Sequence, residues 1–341
     1  MRFASNFLTG FTTSAVANES VFENLGGTLI VSNASWKDTV HKAVKEGTLS
    51  FGFSAGGCLF PYYIGVSGAL RDGQILTANT KVGGSSAGSL LAVCLTSGMR
   101  LDDITEFSLR LMADCRLHGT RGRLGEVLAR TLHKHLPEDA HTKVQGKAYI
   151  GVSKAFPMLQ PMLLSEFQDR EDLIAALLSS CHIPYWLDSS LFTEFRGSYV
   201  MDGGMTNFIP IPPGTTGVRV CCFPSRQLSP IYRRARRPWG NMGAWRALLI
   251  GISPDTFTPW PHSLASMVSW ALEPADEATV VSLIDKGRAD ALAWMESMEL
   301  GSQAESARTE GGEVGAAKEA ARETPDGTGG RGQGGRQNPT L

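Results

Sequence analysis

The sequence lacks an excess of charge of either sign. Its 32 lysines and arginines stand against 33 aspartates and glutamates, for a formal net charge of −1, which removes an overall electrostatic case for nucleic-acid binding. A disulfide framework is also missing. The six cysteines, Cys58, Cys94, Cys115, Cys181, Cys221 and Cys222, form no CxxC pair and lie far apart except for one adjacent couple, a usage that fits a reducing compartment. No run approaches the roughly 18 apolar residues that would cross a bilayer. Even the apolar region from Trp245 to Trp270 is broken by Asp255 and by Pro254, Pro259 and Pro261, so any membrane contact should be peripheral. Metal-ligand constellations are absent too: His133, His135 and His141 read as basic groups around a helix end rather than as ligands. No metal and no cofactor are expected.

What is present reads as a globular enzyme. Hydrophobic residues make up 42% and charged residues 19% of 341 residues, enough to bury a sizeable core. Residues 1–45 read as an N-terminal extension, in which Glu19 and Glu23 weigh against an organelle transit peptide. Residues 299–341 are rich in glycine and glutamate and nearly free of large apolar side chains. Such a tail cannot bury enough surface to offset its ordering entropy, so disorder is expected there. Residues 46–298 remain as the catalytic domain.

Within that domain strands and helices alternate. Leu49–Ser54 reads as a strand running into Ala55-Gly56-Gly57, followed by a helix over Tyr62–Leu70. Thr80–Gly84 reads as a second strand, followed by an apolar helix over Ser89–Thr96 that stops at Ser97-Gly98. Further strands are expected at Lys147–Ser153, Gly197–Met201 and Gly217–Phe223, with a helix at Glu171–Leu178. This order predicts an α/β fold, a three-layer α/β/α sandwich around a central, largely parallel sheet. Ligand sites of such sheets gather at the carboxyl ends of the strands.

Three turns sit at those ends. Gly84-Ser85-Ser86-Ala87-Gly88 fits G-x-S-x-G between a strand and a helix. Gly84 and Gly88 would allow the sharp elbow that lifts Ser86 above the sheet as a nucleophile, at a helix start whose N–H groups favour a developing oxyanion. Ser85, in an x position, should point away from substrate. The bland alternative is a turn of small residues. The Ala55-Gly56-Gly57-Cys58 turn places Gly56, Gly57 and Cys58 as candidates for an oxyanion hole. A dinucleotide loop fits poorly there, because Cys58 and Pro61 fall where G-x-G-x-x-G needs glycines. Met201-Asp202-Gly203-Gly204 puts a carboxylate at another strand end, either as a base for Ser86 or as a simple Asp-Gly turn.

Taken together in this order, the glycine-rich loop, GSSAG and DGG resemble patatin-like phospholipases. The resemblance extends to Ser179-Ser180-Cys181-His182-Ile183-Pro184, which is similar to the family's SCxIP stretch, to Leu164-Ser165-Glu166-Phe167, and to Ala271-Leu272-Glu273-Pro274-Ala275. It covers roughly Ser50 to Asp290. Phe53–Val66 (FSAGGCLFPYYIGV) looks closer to the branch of triacylglycerol lipases and their plant and algal relatives than to tuber patatin. Patatin itself has a basic residue after its oxyanion glycines, where Cys58-Leu59-Phe60 stand here.

The resemblance implies a lipid acyl hydrolase with a Ser86–Asp202 dyad and no catalytic histidine. A Ser–Asp–His triad would need a histidine after Asp202, and His262 is the one available. The expected partner is a glycerolipid, triacylglycerol or phospholipid, at a membrane or lipid-droplet surface; no feature of the sequence names an activator protein. Two other readings use the same fold: an acyltransferase with an alcohol as acceptor, and an inactive lipid-surface binding protein. Arg233, Arg234, Arg236 and Arg237 with Trp239 form a basic, aromatic stretch suited to membrane contact, or else a solvated loop. The expected location is cytoplasmic and peripheral to a membrane or droplet, with the chloroplast as alternative.

Overall fold

The computed structural model describes residues 33–228 and 251–300. The basic stretch at Arg233–Trp239, most of the N-terminal extension and the tail from residue 301 lie outside the described residues. In chain order the elements are α1 (Asn33–Glu46), β1 (Leu49–Phe53), α2 (Phe60–Asp72), β2 (Lys81–Ser85), α3 (Ala87–Thr96), α4 (Leu101–His118), α5 (Leu124–His135) and α6 (Ala140–Val144). They continue with β3 (Ala148–Lys154), β4 (Gln160–Leu164), α7 (Arg170–Ser180), β5 (Thr193–Phe195), β6 (Ser198–Asp202), β7 (Thr216–Val220), α8 (Leu264–Leu272) and α9 (Glu277–Ser297). Each expected strand and helix is found, shifted by two or three residues at most. Residues 33–45, expected as extension, belong to α1, whose Val40 and Ala43 are buried in the main core.

The sheet is mixed, parallel in its middle and antiparallel at one side. Its order is β5-β6-β3-β2-β1-β7, with β4 also paired to β3. β3, β2, β1 and β7 run parallel, whereas β4 and β6 run antiparallel to β3. This is the α/β/α architecture expected, a central sheet flanked by helices.

The two faces of the sheet are built differently, and the strand sequences say why. Phe51 and Phe53 alternate onto one face, where Phe51 meets Trp294 of α9 edge-on and Phe53 meets Tyr63 of α2. Helix α2 is buried along Phe60–Leu70, and the aromatic contacts place α2 and α9 on this face. On the other face stand Ser50, Gly52, Gly83, Ser85, Gly151 and Gly217, which the strand registers bring side by side. A Cβ on Gly52 or Gly83 would come within 2.5 Å of the Pro210 carbonyl oxygen, and one on Gly217 within 2.3 Å of Ile211. The small residues let the chain after β6 lie directly on the sheet, and Arg219 fastens it by donating to Ile209 O at 2.9 Å.

Helix α3 ends as its sequence predicts. Gly98 takes φ +83, and the Met99 N–H returns to Cys94 O at 3.2 Å, the glycine-terminated C-cap that satisfies otherwise orphaned carbonyls.

Candidate active site

β2 and β6 reach the same spot because they share one edge of β3. β2 pairs with β3 up to Ser85 opposite Gly151, and β6 pairs from Asp202 opposite Val152 onward. β4 pairs with β3 over Ile150–Lys154, overlapping both, so it must hold the opposite edge and leave β2 and β6 end to end on the first. Two turns far apart in sequence therefore abut: the one leaving β2 at Ser86 and the one leaving β6 at Asp202.

Ser86 carries φ +53 and ψ −125 as the residue before α3. For a non-glycine residue this is a sparsely populated, costly conformation of the kind that collects at functional sites. The elbow glycines make it feasible by close packing. A Cβ on Gly84 would fall 2.1 Å from the Gly88 backbone, and one on Gly88 would fall 2.4 Å from Phe53 O. Ser86 donates its backbone N–H to Ser180 Oγ at 2.9 Å, and Ser89 Oγ donates to Ser86 O at 2.7 Å. Ser85 points to the opposite face and donates to Asn207 O at 2.6 Å.

Asp202 is buried, with 5% of its surface exposed. Its Oδ1 accepts the Gly204 N–H at 2.7 Å, while Oδ2 accepts no hydrogen bond of ordinary geometry from the described residues. Burial pushes the carboxyl up to about 6, against the lowering effect of the Ser86 hydroxyl and the Gly204 N–H. The Ser86 hydroxyl thus acts on the carboxylate without a full hydrogen bond. Contacts of that looseness are common before substrate closes a site. The backbone of Asp202 is fixed on both sides, its N–H donating to His182 O at 2.9 Å and its carbonyl accepting from Ser153 Oγ at 2.7 Å.

The glycine loop arrives from β1. Gly57 has φ +51, and a Cβ there would lie 2.0 Å from Ala271 O on α8, so the position is closed to a side chain on two counts. Gly57, Cys58 and Leu59 form a 3₁₀ turn, whose first N–H groups have no partner within the turn. Gly57, Cys58, Ser86 and Ala87 line one cavity, which brings those donors to the nucleophile. A Cβ built on Gly56 would fall 2.6 Å from Cys222 Sγ and 2.8 Å from the Tyr63 hydroxyl, so this position of the loop is closed to a side chain as well.

That cavity leads away from Ser86 between α3, α4 and α5, past Leu90, Leu111, Met112, Leu124, Leu128 and Leu132. The space not filled by atoms, counted together with the open solvent at its mouth, is about 850 Å³. Ser108 and Thr131, two of the hydroxyls along it, are spent on carbonyls of their own helices, Thr105 O and Val127 O. The wall therefore offers methyl and methylene groups. Four of the six cysteines, Cys58, Cys94, Cys115 and Cys181, line it as well. Burial raises each of these thiols, Cys94 to about 12 and Cys115 to about 11, so at neutral pH they act as small apolar groups.

The histidines lie apart from this chemistry. His262 is wedged edge-on between Trp260 at 4.9 Å and Trp270 at 4.7 Å. His182, adjacent in sequence to Cys181, is buried, and its Nδ1 faces Asp188 at 3.8 Å; burial lowers its pKa. His133 binds Glu171 at 2.9 Å and His135 stacks on Phe107. Cys221 and Cys222 are both buried, and Cys222 Sγ accepts from the Tyr63 hydroxyl at 3.1 Å.

Ser180 was not singled out as a functional residue from the sequence. Its Oγ receives the Ser86 N–H and donates to Gly151 O at 2.6 Å, linking the elbow to β3. The signal was present in the SCxIP-like stretch, but nothing about a serine late in an apolar helix points to a partner 94 residues away.

Comparison with known proteins agrees with this architecture. The family model of patatin-like phospholipases matches residues 53–214, from the end of β1 past the Asp202 turn. The human patatin-like phospholipase domain-containing protein 4 is 32% identical over 190 residues, 52% of this chain and 73% of that protein. A mouse 1-acylglycerol-3-phosphate O-acyltransferase is 29% identical over 51% of this chain and 43% of its own. A mouse omega-hydroxyceramide transacylase is 25% identical over 56% and 33%; the chain spans less than half of these last two. With the strand order, the elbow and the sequence match in agreement, the chain belongs to the patatin-like phospholipase family.

Proposed function

We propose that this protein cleaves fatty-acyl ester bonds of glycerolipids through an acyl-enzyme formed on Ser86, with Asp202 as the base. The carrying observation is the meeting of a strained serine at a helix start with a buried carboxylate, one oxygen of which has no hydrogen-bond partner among the described residues, beside an apolar cavity. Asp202 takes the proton from Ser86 as the serine oxygen attacks the ester carbonyl, and the carbonyl oxygen gains negative charge. N–H groups at Gly57, Cys58 and Ala87 receive that charge, the last because it follows the nucleophile. The alcohol leaves with the proton held by Asp202, water then attacks the acyl-enzyme, and Asp202 again serves as base. An ordinary aspartate, near 3.9, is a weak base for a serine. Burial raises Asp202 to about 6, which narrows the gap. The acyl chain occupies the cavity beneath α3.

The names of the acyltransferase and the transacylase among the relatives favour a second reading, in which an alcohol replaces water as acceptor with the same residues in the same roles. One experiment separates the readings. Fatty-acid release from triacylglycerol, phosphatidylcholine and galactolipid is measured for wild type, Ser86→Ala, Asp202→Asn and His262→Ala, with and without lysophospholipid or diacylglycerol as acceptor. The dyad requires loss in the first two variants and retention in the third. Full activity in Asp202→Asn would remove the dyad, and product on the acceptor at the expense of free acid would assign acyl transfer.

A further inference from the structure

Nine large apolar side chains stand exposed among the described residues, and six of them, Phe156, Met158, Leu159, Tyr185, Leu191 and Tyr199, belong to three neighbouring segments. Phe156 lies 5.4 Å from the Phe192 ring and 6.2 Å from the Tyr199 ring. The Ala155 N–H donates to Tyr199 O at 2.9 Å, and the Tyr185 N–H closes its loop on Ser190 O at 2.8 Å. The tip of the β3–β4 hairpin, the start of β6 and the 185–192 loop thus form one patch. Hairpin tips are ordinarily polar, and a gathered apolar surface of this kind marks an interaction site.

Its position says what covers it. Tyr199 precedes Asp202 by three residues along β6, about 10 Å at the usual strand rise, and β3 runs toward the patch from the same end of the sheet at which Ser86 stands. Ile183 and Trp186, which line the cavity, sit on the segment that carries Tyr185 and Leu191. Charges around the patch are of both signs: Lys154 and Arg196 stand against Asp188 and Glu194, and Arg196 is already engaged by Asp172 at 3.0 Å. An anionic surface gains little there, whereas an uncharged or zwitterionic one meets exposed aromatic and aliphatic groups suited to the interface.

We propose that this patch seats the protein on a zwitterionic lipid layer by apolar insertion, with the hairpin tip at Phe156–Leu159 entering the layer. This rests on the reading of Ser86 as a lipid-cleaving nucleophile for its purpose, but its test does not. The full chain is floated with phosphatidylcholine vesicles at low and high salt, as wild type, Ser86→Ala and the combined Phe156→Ser, Met158→Ser, Leu159→Ser variant. Binding should be unchanged in Ser86→Ala and should survive high salt, since screening leaves apolar insertion intact. It should weaken more than about tenfold in the triple variant, given the transfer energy of three large side chains.

Met158→Trp supplies a second measurement that needs no loss of binding: its added fluorescence should shift to the blue with vesicles and be quenched by brominated lipid. Absence of vesicle binding in wild type, undiminished binding in the triple variant, or bound Met158→Trp with unshifted emission would each overturn the proposal. Hydrolysis of a water-soluble short-chain ester keeps the two readings apart. The triple variant should retain it, and a wild type that binds vesicles but cleaves no ester would sink the catalytic reading alone.

Discussion

The backbone N–H of Ser86 donates to Ser180 Oγ at 2.9 Å, and the same hydroxyl donates onward to Gly151 O at 2.6 Å. One side chain from the end of α7 thereby ties the elbow to the neighbouring strand. Ser180→Ala would leave both a buried N–H and a buried carbonyl unpaired, a cost of about 1–3 kcal/mol. Thermal unfolding should fall by about 2–4 °C for each kcal/mol lost in a domain of this size. Turnover should drop with KM little changed, because the loosened element is the nucleophile's turn and not the acyl cavity. Unchanged melting and turnover would show that the relay holds nothing in place.

Asp202 should set opposite trends in activity and stability with pH. As the base it must be ionised, so turnover is expected to rise through about pH 6, the value to which burial pushes it, and to level off above. For stability the sign reverses. A carboxyl whose folded pKa lies above its unfolded value stabilises the fold while protonated; that contribution is complete below the unfolded value near 3.8 and is lost as pH climbs through about 6. Asp202→Asn should therefore be inactive yet melt higher than wild type at pH 8, by the equivalent of about 2–3 kcal/mol at most, with the advantage gone near pH 4. Asp290, raised by burial to about 6 as well, remains in both proteins and cancels in the comparison. A melting difference of the same size at both pH values would remove the buried carboxylate as its cause.

Gly57→Ala should be far more damaging than its size implies. A φ of +51 costs an L residue about 1–2 kcal/mol, and the new methyl would collide with Ala271 O at 2.0 Å. That collision is with backbone, which cannot rotate away, so another roughly 1–3 kcal/mol of overpacking is expected. Gly98→Ala serves as the control, with a similar φ of +83 but open space around its Cβ. Equal losses of stability in the two variants would mean that the contact with α8 does not constrain the loop.

The three turns were legible in the sequence because each sets glycines at a strand end, two of them beside a reactive side chain, and such turns are written in local sequence. Strand–helix alternation and the C-cap at Gly98 were legible for the same reason. Three features were not. β4 and β5 are short, half-exposed and antiparallel; along Gln160–Leu164 exposure falls steadily toward a buried Leu164 instead of alternating, so little periodicity marks the strand. Helices α4 and α5 supply nearly half of the residues of the cavity wall, yet an apolar stripe facing a cavity looks the same in sequence as one facing a core. The small residues of Gly52, Gly83 and Gly151 read as weak strand positions until the proline-rich chain after Asp202 is seen lying on them. In each case the missing information was a long-range contact.

The cavity should act as a ruler for acyl chains. Its wall on α4 runs from Cys115, beside Cys58, to Phe107, a span of about 12 Å at 1.5 Å per residue. At its far end Phe107 stacks on His135 of α5 at 5.4 Å. With carbon–carbon bonds of about 1.5 Å in a zigzag, each methylene advances about 1.3 Å, so the ruler ends near nine carbons. Each methylene buried up to that point is worth about 0.8 kcal/mol, and kcat/KM for a series of soluble esters should rise about fourfold per methylene and then flatten. Phe107→Ala should move the break outward by two or three carbons (roughly one ring's length at the same advance), and Leu128→Trp should move it inward. Retention of the wild-type break in both variants would place the acyl chain somewhere other than between α3, α4 and α5.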